Sequence, residues 1–344
     1  MDNVSVRRDS STSLAGGMWF DNTKTPIQLS NVWIEDNRSN GSGGGIYVEN
    51  ASLHITNASI SNNISQQDKG GGLYYYENST ELSVEIKSTS FIGNQTKSNG
   101  GGAYLYFNGP DNKATLSNVL FAKNKAANSS GLYSSTASSS SAIQVINNTF
   151  VLNEGGGTTV NMNSGGTREI INTIVWHNPS SAQAVTGPDV TYSNIEGGYD
   201  GDGNINTDPV FIDYVNGDYH LSDYSPSLGA GTSTGAPTMD IEGNPRPNPA
   251  GSAPDMGAFE SAKSTRVTAK YYVMTTGNDL SNGSLSSPFL TIQRGLDAGY
   301  DGDTVIVYPG TYVGEADYKK KNIVLGSRFL TTNDSTYRDQ TVIE

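Results

Sequence analysis

The charged residues able to do chemistry in this 344-residue chain are mostly acidic and mostly scattered. Glu81, Glu85 and Lys87 form a Glu-x-x-x-Glu-x-Lys run, which an extended strand would carry on one face. Clustered carboxylates can hold Ca²⁺, and a lysine beside them can act as a general base. The other acidic candidates, Asp36, Asp68 and Glu77, share no register with that run. The expectation is therefore a solvated strand face and no catalytic constellation. One turn offers hard oxygen ligands: Asp200, Asp202, Asn204 and Asp208, in the spacing D-x-D-G-N-I-N-x-D. That composition suits calcium, although the bidentate acid that closes an EF-hand is missing and Asx-turns account for the same residues. His54, His177 and His220 are too dispersed for a metal triad, and no Ser or Cys nucleophile signature accompanies them.

The elements that would position such groups are written in a repeat. Asn37, Asn63, Asn94, Asn124, Asn153 and Asn178 recur every 25 to 31 residues. Five are preceded six residues earlier by another asparagine, Asn31, Asn57, Asn118, Asn147 and Asn172, and the sixth by Ser88. Glycine clusters fall between them at Gly43-Gly44-Gly45, Gly70-Gly71-Gly72, Gly100-Gly101-Gly102 and, more loosely, Gly155-Gly156-Gly157. A fixed period of this size means a solenoid. The segments before the asparagines alternate apolar and polar residues, which predicts half-buried strands. Val32, Ile34, Ala58, Ile60, Val119, Phe121, Thr149 and Val151 are expected to face inward. The glycine triplets supply the positive φ and close backbone approach of a corner. An asparagine at the same corner of every coil can stack as an amide ladder. The expected fold is all-β, a right-handed parallel β-helix, with six repeats rising about 30 Å at about 4.8 Å per coil.

Composition agrees with that fold. Glycine is abundant (40 residues) and only 34% of residues are hydrophobic, enough for the thin apolar column a coil needs. A net charge of −13 argues against nucleic acid, and Lys319-Lys320-Lys321 reads as a solvated turn. There is no cysteine, hence no disulfide and no thiolate metal site. No apolar stretch reaches the length of a membrane-spanning helix. The opening MDNVSVRRDSS lacks the apolar core of a secretory leader, so a chain starting inside a longer protein, or after cleavage, is expected. Asn-x-Ser/Thr sequons, among them those at Asn57, Asn94 and Asn147, arise from the ladder composition itself.

After Asn178 the register changes. Ordered landmarks follow: Asn204 to Phe211, Gly217 to Leu221 (GDYHL), Ser225-Pro226 with Gly229-Ala230-Gly231, Asp240 to Arg246, and Asp255 to Glu260. Together they resemble the closing segment of bacterial surface β-helix proteins with a choice-of-anchor Q domain. Beyond a polar linker, 261–270, the stretch YYVMTTGNDLSNGSLSSPFLTIQRGLDAGYDGDTVIVYPGTYVGE is similar to the amino-terminal cap of pectate-lyase-like β-helices. Ser287 and Pro288 read as the cap and first residue of a short helix carrying Ile292 and Leu296. Asp301-Gly302-Asp303 turns the chain into the strand Thr304 to Tyr308, and KNIVLGSRFLTTNDSTYRDQTVIE reads as the start of coils.

The expected organisation is coils over 1–189, a closing segment over 190–260, the linker, and a cap with first coils over 271–344. The order is middle, end, linker, beginning. Three arrangements fit: a window across tandem β-helices, a subunit whose carboxy-terminal coils stack under another copy, or a segment folded back under its own first coil. The resemblance implies an extracellular or cell-surface bacterial module, structural or adhesive, joined head-to-tail to other copies or adjacent β-helix domains. A carbohydrate-active protein is the rival reading: a polysaccharide lyase, or a glycan binder using Tyr74-Tyr75-Tyr76 and Tyr104-Leu105-Tyr106; no cofactor is expected to be required, and calcium at the 200–208 turn is the one candidate.

Overall fold

In this computed structural model every residue is described except Ser164, residues 180–182, Asp301 and Lys320. The Asp301 position of the predicted turn and the centre of the lysine run therefore lie outside the described residues. The chain divides into two compact units, 1–206 with 230–260, and 207–229 with 261–344.

The first unit is a parallel β-solenoid. A typical coil contributes a long, bent strand, divided in two in some coils, then a two-residue strand and a strand of two to five residues, paired in parallel with their counterparts one coil on. The long sheet runs from Asp2–Arg7 through Ile27–Glu35, Ser83–Ile92 and Lys113–Ala122 to Asp189–Thr191. The short sheet stacks Ser10–Ser11, Arg38–Ser39, Ile64–Ser65, Gln95–Thr96, Lys125–Ala126 and Glu154–Gly155. The third sheet stacks seven strands from Met18–Asp21 to Val185–Thr186. Coils persist past residue 189, since Ile195 N–H donates to Ile205 O at 3.0 Å and Ile205 N–H to Ser193 O at 2.9 Å. The closing segment expected over 190–260 is thus split, with 207–229 belonging to the second unit.

The six ladder asparagines sit at the corner between the long and short sheets; the first five are fully buried and Asn178, at the end of the row, is partly exposed. Each Nδ2 except that of Asn178 donates to the Oδ1 of the next asparagine at 2.9–3.0 Å. It also donates to a carbonyl one coil back, such as Ile60 for Asn94 at 2.8 Å. Each Oδ1 from Asn63 onward accepts a second bond from the backbone N–H of the preceding asparagine. Both donors and both lone pairs of each interior amide are used, as burial requires.

The asparagines six residues earlier have a different task. Asn31, Asn57, Asn118, Asn147 and Asn172, with Ser88, all have φ between 44° and 53° and bend the long strand. Asparagine tolerates this left-handed conformation and serine does so at more cost. At the glycine corner, Gly43, Gly70 and Gly100 adopt φ near 70°. The glycine after each, for example Gly44, leaves no room for a side chain, since a Cβ there would lie 2.3 Å from the Gly71 carbonyl.

The inward positions are mostly as expected, with one slip of register. Val32, Ile34, Ala58, Ile60, Val119 and Phe121 are in the core. In the next coil Phe150, not Thr149 or Val151, enters it, in register with Phe121 and stacked on it at 4.6 Å. Thr149 and Val151 point outward yet are buried, because residues 230–260 cover the outside of these coils. Ala258 N–H donates to Thr149 Oγ1 at 3.0 Å, and the covering chain is held by Asn118, Asn147 and Asn172.

The second unit has a three-stranded parallel sheet, Lys270–Val273, Thr304–Val307 and Val324–Ser327, packed on the helix Ile292–Ala298. Its core includes Tyr271, Val273, Phe289, Ile292, Leu296 and Val305. The helix starts later than expected. Phe289 is held extended by backbone bonds to Tyr272 and Met274, so Ser287 and Pro288 stay outside and Thr291 caps Arg294 N–H at 3.2 Å. The supposed linker is also structured: Ala269 N–H donates to Asp303 at 2.7 Å and Arg266 pairs with Asp303 at 2.5 Å. Residues 322–344 hold two further short helices, Phe329–Thr332 and Thr336–Asp339, between strands Val324–Ser327 and Thr341–Ile343, rather than a plain run of coils.

Replacing Asn94 by Ala leaves Ile60 O, Asn124 Oδ1 and both donors of Asn63 short of a partner. The expected loss is about 3 kcal/mol in chemical denaturation. Asn178→Ala, at the end of the row, is expected to cost less.

Candidate functional site

The outer face of the third sheet carries the most distinctive side chains. Register aligns Trp19, Tyr47, Tyr74, Tyr104 and Tyr133 in one row. Tyr74 and Tyr76 face out while Tyr75 is fully buried, its hydroxyl donating to Ala51 O at 3.0 Å, as strand alternation requires. The outward rings stack along the axis at 5.1, 5.2 and 4.7 Å, with interplanar angles of 18°, 7° and 5°. Tyr76 and Tyr106 form a second pair at 5.5 Å. A sugar docks on an open ring face, and here neighbours cover the faces and leave mainly edges to solvent. Tyr47 and Tyr104 are only 7% and 5% exposed. Trp19, at the beginning of the row, is 63% exposed.

Burial pushes the Tyr74 phenol up to about 12, assisted by the negative charge of Asp68. Tyr47 is raised further, by burial and then by its hydrogen bond to Glu49. Tyr104 is also raised, by burial first. The column is thus an apolar seam with hydroxyl edges and carries no acid or base that works near neutrality.

The sequence-predicted catalytic run is only partly assembled. Glu85 and Lys87 share a face of the strand Ser83–Ile92 and pair at 2.5 Å, both about half exposed. Glu81 lies outside that strand, in a turn with φ of 59°, so it does not join them. Glu77 is fully buried at the end of the strand Leu73–Glu77 and accepts from Asn112 Nδ2 at 2.6 Å, Ser79 N–H at 2.8 Å and Gly109 N–H at 3.1 Å. Burial raises its carboxyl, and the backbone donors oppose that rise. Asp36 turns the corner before Asn37 with φ of 58°, and Asp68 accepts from Ser42 Oγ at 2.7 Å.

Two of the four proposed calcium ligands have side chains engaged in the fold. Asn204 Oδ1 accepts from Ser193 N–H at 3.0 Å, and its Nδ2 donates to Val190 O and Tyr199 O. Asp208 accepts from Val210 N–H at 2.8 Å and pairs with Arg294 at 2.6 Å within the second unit. Asp200 and Asp202 are exposed, and the Asp202 carbonyl accepts from Tyr192 N–H. Among the described residues no three His, Cys, Asp or Glu side chains gather as a metal site. The histidines are separate: His54 contacts Gln28 at 2.9 Å, His220 contacts Asp218 at 2.7 Å, and His177 turns the corner before Asn178.

Two carboxy-terminal landmarks do meet. Asp240 accepts from the N–H groups of Glu242, Asn244 and Glu260. Arg246 donates to the carbonyls of Asp255, Gly257 and Ala258 and lies 3.4 Å from Glu260, with both side chains fully buried. Desolvation lowers the guanidinium and raises the carboxyl, and their mutual attraction opposes both changes. These residues shape the covering segment and leave no open face for a ligand.

No family model matches the chain, and no curated protein or solved structure matches it. No helix among the described residues is long and apolar enough to cross a membrane.

The raised tyrosines give a pH dependence whose sign follows from proton counting. Between pH 10 and about 12 the unfolded phenol is ionised while folded Tyr74 keeps its proton. The folded state then binds more protons, so stability is intact below pH 10 and falls as pH rises through 12. Tyr74→Phe is expected to flatten that fall, measured as the urea midpoint across this range.

Proposed function

We propose that this chain is a structural or adhesive β-helix module of a bacterial cell surface or extracellular assembly, continued end to end by further β-helix coils. The observation that carries the reading is the residue at the beginning of the amide ladder. Asp9 stands one coil before Asn37, and its backbone N–H donates to Asn37 Oδ1 at 3.0 Å. Its side chain is exposed and only accepts, which suits the N–H and Nδ2 donors of a preceding ladder residue. Among the described residues, the strands of that coil, Asp2–Arg7, Ser10–Ser11 and Met18–Asp21, pair on one side only. A parallel coil edge of this kind is a template for strand addition, and a heterologous contact repeats without closing. A preceding stretch of a longer protein and a second copy would satisfy it equally.

The ordered landmarks that resemble a choice-of-anchor Q segment support the surface reading, and the resemblance of 271–344 to an amino-terminal cap supports tandem or head-to-tail continuation. The rival, a carbohydrate-active protein, has less behind it: the Glu85–Lys87 pair is exposed and the tyrosine faces are stacked on each other. Sedimentation velocity on the 344-residue chain over rising concentration tests the self-association form. The expected result is a weight-average mass that grows with concentration, and loss of that growth in Asp9→Lys. A chain that stays monomeric at every concentration removes self-association from the reading.

A further inference from the structure

The residues at the bend of the long sheet form a row along the first unit, and part of that row already holds polypeptide. Asn172 makes a two-point pair with the covering segment: its Nδ2 donates to Thr232 O at 2.7 Å and its Oδ1 accepts from Thr232 N–H at 2.8 Å. Asn147 Nδ2 donates to Asp255 O at 3.0 Å, and Asn118 Nδ2 to Met239 O at 2.6 Å. All of these bonds go to main chain, so they select an extended segment and no particular side chain. Beside the bend runs the outward row Leu120, Thr149 and Ile174, all buried under the cover. Glycine permits the close approach there, since a Cβ on Gly257 would stand 2.9 Å from both Thr149 Oγ1 and Ile174 Cδ1.

The same two rows continue, uncovered, into the three preceding coils. Asn31, Asn57 and Ser88 hold the bend positions there, and Trp33, Ser59 and Ser90 the outward ones. Asn31 Nδ2 is taken by Asp2 Oδ1 at 2.8 Å. Asn57 is exposed, and among the described residues its side-chain amide has no hydrogen-bond partner. Trp33 is 41% exposed, although its counterparts three to five coils on are buried. We propose that this uncovered face docks an extended, glycine- and proline-containing segment of a second polypeptide, held through its main chain. Continuity with the covering segment names the occupant: the bend conformation, the amide and the spacing that grip residues 230–260 are repeated at Asn57. The Asn57 amide makes with an incoming peptide unit the two-point pair that Asn172 makes with Thr232. Trp33 offers an indole to a proline or aliphatic side chain, and the small Ser59 and Ser90 leave room for the chain between. From Asn31 to Ser88 is two coil steps, about 10 Å, which about three extended residues span. The face lies along the first unit and away from its first-coil edge, so this inference stands apart from end-to-end assembly.

The test is fluorescence anisotropy of a labelled synthetic peptide with the covering segment's own sequence, GTSTGAPTMDIEG (residues 231–243), titrated with the whole chain. Its control is the same peptide N-methylated at alternate residues, which keeps the side chains and loses main-chain donors. Saturable binding of the first peptide is expected, weaker by about tenfold or more for the second. Asn57→Ala and Trp33→Ala should each weaken binding by about fivefold or more. Lys125→Gln, on the short sheet, should leave it unchanged, and circular dichroism should show all variants folded. No saturable binding up to about 1 mM, equal binding of the N-methylated peptide, or an unaffected Asn57→Ala/Trp33→Ala double variant would overturn the proposal. Binding kept in Asn57→Ala and lost in Asn172→Ala would place the peptide on the covering segment's own seat and overturn it as well.

Discussion

A solenoid with thin coils has to bury polar corner groups, and in this chain the amide ladder is how that burial is tolerated. An unpartnered buried amide costs roughly 1–3 kcal/mol, whereas each interior ladder asparagine makes its full complement of bonds. The bonds run both along the row and back to the preceding coil, so they fix the rise and the register together. Apolar stacking supports the same register on the inside, where Phe91, Phe121 and Phe150 lie 4.9 and 4.6 Å apart with nearly parallel rings. The corner before each ladder residue needs a left-handed backbone, even where the residue is Lys123 or Leu152. Those two positions carry strain that neighbouring order must offset.

The same repetition sets what the surface can offer. Each outward position of a strand becomes a row along the axis, so an isolated side chain matters less than the column it joins. Tyrosines in a column cover one another and give a hydrophobic seam. The covering segment 230–260 removes another face from solvent by capturing Asn118, Asn147 and Asn172, while Asn57, two coils before Asn118, stays exposed. Burial leaves the side-chain amides of Asn94 and Asn147 inaccessible in the folded chain.

Much of the first unit was legible because the ladder period, the glycine corners and the strand alternation all reported the same geometry. Phe150 was misjudged because alternation assumes a wet outer face, and there the outer face is dry. A constant offset of three residues before each ladder asparagine identifies Ile34, Ile60, Phe91, Phe121 and Phe150 correctly. The helix start was displaced because Ser287-Pro288 is a good local signal overridden by the extended pairing of Phe289. Glu81 was grouped with Glu85 and Lys87 by spacing alone, since the turn that separates it has no marked sequence signature. The outward row that holds Trp33 was hidden for the opposite reason: its members come from successive repeats and become neighbours only once the coils are stacked. The fit of Asp240 to Arg246 with Asp255 to Glu260 likewise depends on contacts that no local pattern encodes.

Native-state hydrogen exchange read at the backbone and side-chain amides of Asn63, Asn94 and Asn124 tests the ladder as the organising constraint. If the ladder holds the coils in register, these protons exchange only through global unfolding, with protection matching that of core strand amides such as Ile86 and Leu116. Exchange of the ladder amides through local opening, well ahead of those strands, would contradict the account and leave apolar packing as the feature that sets the register.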